Sequence, residues 1–226
     1  MLSYEIINII ENAKDKGWVI EPEAKRIFSL YNLDVPRFLW TDKIEEAVNF
    51  AEDIGYPVVA KIVSFKVMHK SEQKGVLTGI EDKNELIEAF NRFQRIEGFE
   101  GIIVEEMFSG VELIVGAKND YQFGPVVLFG LGGIWAEIYK DIILRMAPLR
   151  EKDIETMTQC LKARPILEGY RGAPRVNFEE ISRLLITFSD LIMELEDYFD
   201  SIDLNPVICS SKRCVIADAR IILKRI

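Results

Sequence analysis

In the stretch Phe123 to Lys140, FGPVVLFGLGGIWAEIYK, three glycines fall within four residues between two apolar runs. Pro125-Val126-Val127-Leu128-Phe129 is long enough for one buried strand, and Ile134 to Tyr139 can alternate faces as a second. Gly130, Gly132 and Gly133 between them cost backbone entropy, and a plain hairpin needs only two turn residues. Either the chain makes a loose turn here, or backbone N–H groups must approach something closely, for which phosphate is the usual reason. The choice rests on charged residues elsewhere that would converge on the loop.

The rest of the chain reads as a soluble α+β protein. Of its 226 residues 49% are apolar and 29% charged, which suits one large domain or two small ones. No apolar run approaches the roughly 20 residues that span a bilayer, and the early acids of MLSYEIINIIENAKDKG do not make a secretory signal. A net charge of −9 argues against a nucleic-acid duplex as the main partner. Three cysteines without a CxxC spacing fit a reducing cytoplasm and offer no zinc site.

Helical periodicity appears from Ser3 to Lys16, in EPEAKRIFSLYN, after Asp42, after Asn84, from Glu151 to Ala163 and in the stripe Ile181 to Leu195. Asp42 and Asn84 are the expected caps of their helices. The segments 57–63, 76–80, 101–107 and 111–118 read as strands. The expected division is an N-terminal lobe, 1–105, with its leading helices, and a C-terminal lobe, 106–226, carrying the glycine loop and a final hairpin.

Several residue choices point to anion and metal chemistry. Lys61 sits in the middle of the apolar strand PVVAKIV, where an unpartnered ammonium would be costly. It either reaches solvent or faces a cleft and holds a polyphosphate. The next segment, SFKVMHKSEQKGVLTG, is basic in an acidic chain and holds the sole histidine, His69. The C-terminal segment is geometrically informative. A four-residue tip, Ser210 to Arg213, pairs Cys209 with Cys214, Val207 with Ile216 and Asn205 with Asp218. Opposed side chains share a face with Cβ atoms about 4.5–5.5 Å apart. Asn205 and Asp218 are then either an ordinary polar pair or two hard oxygens for one cation such as Mg²⁺. Pro206 lacks an N–H and favours an edge or a bulge, so the register can slip by one. The two cysteines are expected as neighbouring thiols, with a disulfide the lesser option.

Taken together, EPEAKRIFSLYNLDVP, IGYPVVAKIVS with MHKSEQKGV, DYQFGPVVLFGLGGIWAEIYKDIILRMAPL, and SIDLNPVI followed by VIADARIIL resemble the ATP-grasp beta subunit of ADP-forming acetyl-CoA (acyl-CoA) synthetases, relatives of succinyl-CoA synthetase. The resemblance runs from about Glu21 to Ile222. It departs at Lys74-Gly75, where the family has two glycines. It implies an ATP-grasp fold of two α+β lobes that clamps ATP or ADP with Mg²⁺. By this resemblance Lys61 contacts nucleotide phosphates. Glu105 and the backbone to Met107 lie beside adenine, and Glu112 lies near the ribose. Asn205 and Asp218 ligate magnesium. His69 carries a phosphoryl group, and Asp203 orients or stabilises it. The CoA site belongs to an alpha subunit, which implies an alpha2beta2 partner assembly in the cytoplasm. The alternatives are a non-catalytic nucleotide-binding regulatory module and another ATP-grasp ligase.

Overall fold

The computed structural model describes residues 2–66, 75–133 and 140–224, and these form two compact units. One comprises Pro36–Phe108; the other combines Met1–Val35 with Ser109–Ile226.

The smaller unit is a four-stranded antiparallel sheet with two helices on one face. Its strands are β2 (Phe38–Thr41), β3 (Val58–Ser64), β4 (Val76–Ile80) and β5 (Phe99–Glu106), in the order β2-β5-β3-β4. The helices are α3 (Ile44–Ile54) and α4 (Lys83–Phe93). Ala47, Val48 and Ala51 of α3 and Leu86, Phe90 and Phe93 of α4 pack on Val58, Ala60, Ile62, Ile102 and Val104. Strand alternation therefore turns Lys61, Ile103 and Glu105 to the opposite face. The caps differ from expectation by a residue or two. Asp82, not Asn84, accepts from the first N–H groups of α4. Lys43, not Asp42, precedes α3, with its N–H bonded to Thr41 Oγ1.

The larger unit is built on a seven-stranded antiparallel sheet. Its strands are β1 (Trp18–Val19), β6 (Val111–Asp120), β7 (Gly124–Leu131), β8 (Ile142–Met146), β9 (Phe199–Cys209), β10 (Cys214–Ile216) and β11 (Arg220–Leu223). The order is β1-β11-β9-β6-β7-β8, and β10 also pairs with β9. Helices α1 (Tyr4–Ala13), α2 (Glu21–Leu30), α5 (Glu151–Cys160), the short α6 (Arg164–Leu167) and α7 (Phe178–Glu194) belong to this unit. The α7 stripe Ile181, Leu184, Leu185, Phe188, Leu191 and Ile192 is fully buried in the same core as Leu113, Val115, Val127, Phe129 and Leu204.

That core also takes the leading helices, so the expected division at residue 105 changes. Ile27 and Phe28 of α2 are inaccessible, and the Phe28 ring lies 6.4 Å from that of Phe188. Trp18 and Val19 pair with Ile222 and Ile221 across β1 and β11. The first 35 residues thus complete the larger unit instead of leading the smaller one.

Two glycines of the 130–133 loop have a local explanation. A Cβ on Gly130 would come within 2.5 Å of the Asp141 carbonyl oxygen, and one on Gly132 within 3.1 Å of the Glu112 backbone. The Gly132 N–H donates to the Glu112 carbonyl at 2.7 Å. At these two positions the backbone approaches neighbouring strands of the protein closely. The second apolar run, Ile134 to Tyr139, lies outside the described residues, and β8 follows where no strand was expected.

Candidate nucleotide and phosphoryl-transfer site

Lys61 and Glu105 form a buried ion pair. Lys61 lies opposite Ile103 and Glu105 opposite Val59, so the two are diagonal neighbours on one face of the β3–β5 pair. Lys61 Nζ stands 2.8 Å from Glu105 Oε1, and the residues are 5% and 1% exposed. The question raised by a lysine in an apolar strand is therefore answered by a partner 44 residues away, and solvent is excluded as its environment. Met107, just beyond β5, is 44% exposed. At the end of β3, Lys66 pairs with Glu97, and this hydrogen bond holds the Glu97 carboxyl below the usual range. His69, Lys70 and Lys74 lie outside the described residues.

In the larger unit, the expected hairpin register holds: Cys209 faces Cys214 and Val207 faces Ile216. The same register resumes with Asp203 opposite Arg220, which sets Asn205 across from Asp218. The second strand is not continuous, as it was expected to be. It breaks into β10 and β11 because the N–H groups of Ala217 and Asp218 both donate to the Pro206 carbonyl, at 3.0 and 3.4 Å. On the other flank of β9, Leu113 pairs with Val207 but Val115 with Leu204, so Asn205-Pro206 bulges opposite Ile114. The slip anticipated from Pro206 thus occurs towards β6 and not within the hairpin. Asn205 is exposed; Asp218 is half-buried between buried Ala217 and Ala219, and its Oδ1 accepts the Ala219 N–H at 2.8 Å.

The cysteines depart from expectation: Cys209 and Cys214 are joined by a disulfide, while Cys160 is free and exposed. Direct opposition across the hairpin puts the two Cα atoms 4.1 Å apart. The tip is further tied down by Arg213, which donates to both Asp34 oxygens at 2.7 Å.

Strand alternation gathers Glu112, Asp203, Lys118 and Arg220 on the sheet face turned away from the core. Glu112 lies opposite Ile208 and touches the glycine loop, since a Cβ on Gly133 would come 3.0 Å from its Oε2. Asp203 lies opposite Gly116 on one side and Arg220 on the other. Arg220 Nη2 is 3.5 Å from Asp203 Oδ2. Beside them is a concavity of about 650 Å³, lined by Ile114, Leu128, Leu144, Met146, Phe123 and the Asp203 edge. Leu144 and Met146 are 55% and 60% exposed. Arg220 and this apolar wall escaped the sequence reading. The spacing that paired Asn205 with Asp218 also pairs residue 203 with 220, so Arg220 was within reach of the same arithmetic. Among the described residues, no cluster of three or more acidic, histidine or cysteine side chains could hold a metal by itself. Nor is any helix there long and apolar enough to cross a membrane.

Two antiparallel sheets with flanking helices make an α+β protein of the ATP-grasp class, and the family model described as "ATP-grasp domain" matches residues 11–223. The beta subunit of acetate–CoA ligase [ADP-forming] I from Pyrococcus furiosus is 42% identical over 224 residues, covering 95% of this chain and 96% of that one. The structure of Ca. Korarchaeum cryptofilum acetyl-coenzyme A synthetase 1 in complex with coenzyme A, Ca-AMPCP and HgCl+ matches with a TM-score of 0.90 at 40% identity, covering 96% of this chain and 99% of that one. A second structure of that enzyme, with coenzyme A and Mg-AMPPCP and its phosphohistidine segment pointing towards the nucleotide binding site, matches at 0.85 and 39% identity, covering 97% and 100%. The chain belongs to the ATP-grasp family, in the group formed by the beta subunits of ADP-forming acetate–CoA ligases.

Proposed function

We propose that this chain is the nucleotide-handling subunit of an ADP-forming acyl-CoA synthetase. With an alpha-type chain that supplies the CoA site, it would interconvert acyl-CoA, ADP and phosphate with acid, CoA and ATP. The observation that carries this reading is the 42% identity to an ADP-forming ligase beta subunit across nearly the full length of both chains. An alpha2beta2 assembly in the cytoplasm is the form expected with it.

In this reading Lys61 meets the nucleotide phosphates. Its pairing with Glu105 fixes the ammonium in a buried position, where a charge acts more strongly than in water. Glu105 and the backbone to Met107 adjoin the adenine, and Glu112 adjoins the ribose. Asn205 and Asp218 fit a Mg²⁺ site. They offer two hard oxygens from facing positions, one exposed and one half-buried, and phosphate oxygens complete such shells. When bound, Mg²⁺ neutralises charge on the phosphates. His69 accepts the phosphoryl group on an imidazole nitrogen, a competent nucleophile near neutral pH. Asp203 holds the other ring nitrogen. Lys66, Lys70 and Lys74 attract the anion.

Titration calorimetry with ADP and Mg²⁺ tests the nucleotide half. Binding is expected for the wild-type chain, with loss in Lys61→Met and loss of the Mg²⁺ dependence in Asp218→Ala. Absence of ADP binding with and without the alpha-type chain would overturn the proposal.

A further inference from the structure

We infer that Gly133 is a positioning residue for Glu112, so that the glycine loop fixes where the Glu112 carboxylate points and, with it, the recognition of ribose hydroxyls. This rests on the role given to Glu112 above. At the end of β7 the chain crosses the start of β6. Leu131 pairs with Leu113, and the Gly132 N–H donates to the Glu112 carbonyl at 2.7 Å. The main chain of Glu112 is thereby held in place: Leu113 beside it is 1% exposed, and Ile208 lies opposite on β9. Its carboxylate extends from this fixed frame, and no hydrogen bond or ion pair among the described residues engages it. An ionised carboxylate only accepts hydrogen bonds, which suits it to a pair of hydroxyl donors.

The two adjacent glycines meet this residue in different places. A Cβ on Gly132 would come 3.0 Å from the Leu113 carbonyl carbon and 3.1 Å from the Glu112 carbonyl group. Those are main-chain atoms of a paired strand and cannot give way. A Cβ on Gly133 would meet a single atom within 4 Å among the described residues, Glu112 Oε2, at 3.0 Å. A side chain at 132 therefore strains the fold, whereas one at 133 pushes the carboxylate aside. Gly133 is also left-handed, at φ +63°, a conformation that glycine adopts freely. Bare backbone at this position lets the carboxylate lie against the loop.

The test is calorimetry on the complex with the alpha-type chain, in Mg²⁺, comparing ADP with 2′,3′-dideoxy-ADP. Wild type should prefer ADP. Glu112→Ala should lose that preference, by about tenfold to a hundredfold for hydrogen bonds to a charged group. Gly133→Ala should lose about threefold to tenfold of it, because a displaced carboxylate makes misaligned bonds. Gly133→Asn carries the same Cβ and takes positive φ more readily, so it should behave alike even where the alanine variant folds poorly. Gly17→Ala is the control for backbone strain, since Gly17 has φ +75° and no atom within 4 Å of its Cβ position. It should lower the melting temperature and leave the preference unchanged. In a Glu112→Ala background, Gly133→Ala should change neither affinity, because the Cβ then meets no carboxylate. Full preference for ADP in both Gly133 variants, an equal loss in Gly17→Ala, or a further loss on adding Gly133→Ala to Glu112→Ala would overturn this inference alone. Wild-type preference in Glu112→Ala overturns the ribose role of Glu112 as well, and a wild-type complex that does not bind ADP overturns the proposed function.

Discussion

Replacing Lys61 by methionine tests whether its ion pair with Glu105 is held for function at a cost to the fold. At 2.8 Å and an effective dielectric constant of about 20, the Coulomb attraction is about 6 kcal/mol. Desolvation of two groups that are 5% and 1% exposed offsets much of that. Removing one partner leaves the other charge buried, which costs about 3–5 kcal/mol. With a urea slope of about 2 kcal/mol/M, Lys61→Met should lower the unfolding midpoint by about 2 M. Adding Glu105→Leu should restore or exceed wild-type stability, since apolar replacement of a buried pair is often neutral or stabilising. ADP binding should remain lost in the double variant. Urea unfolding monitored by circular dichroism, together with calorimetry, reads both effects. A Lys61→Met chain of unchanged midpoint would refute the buried-pair energetics, and a double variant that binds ADP normally would remove Lys61 from the phosphate site.

Three further outcomes follow from the geometry. Tyr31 donates to Glu194 at 3.0 Å, and burial first, then that bond, pushes its phenol up to about 12. Because this folded-state value exceeds the unfolded value of about 10, the neutral phenol favours folding below pH ~10, and the contribution disappears as pH rises through about 12. Burial also raises Tyr56, so a phenolate absorbance titration should show one fewer late tyrosine in Tyr31→Phe than in wild type; identical curves for both proteins would contradict it. Gly130→Ala should lower stability by about 1–3 kcal/mol, because its Cβ would meet the Asp141 carbonyl at 2.5 Å; an unchanged melting temperature would count against that packing. Thiol titration of protein denatured without reductant should detect Cys160 alone, and three reactive thiols would contradict the Cys209–Cys214 bond.

What the sequence disclosed followed the range of each signal. The hairpin from Asp203 to Arg220 was legible because a short tip fixes every pairing by counting. The same count could not show that Pro206 draws two N–H groups and splits the second strand. Lys61 was conspicuous, but its partner is far along the chain and set by the β3–β5 register, which no local pattern records. The packing of the glycine loop was hidden for the same reason: the atoms crowding Gly130 and Gly132 belong to Asp141 and Glu112. The leading helices were assigned by adjacency in sequence, whereas Phe28 packs on Phe188, 160 residues later. Strand β8, with outward Ile142, Leu144 and Met146, carries too many exposed apolar residues to alternate like a solvent-facing strand.

Acyl-CoA-dependent ATP formation by the complex, measured with wild-type chain and with His69→Ala, bears on the proposed function without intermediary. Acyl-CoA, ADP, phosphate and Mg²⁺ are supplied to this chain, to an alpha-type chain, and to both together. ATP should form only when both chains are present. His69→Ala should abolish ATP formation while ADP binding persists. From γ-labelled ATP, the wild-type chain should acquire an acid-labile, base-stable label that the variant lacks. Normal ATP formation by His69→Ala, or none by any wild-type combination that binds ADP, would contradict phosphoryl transfer through this chain.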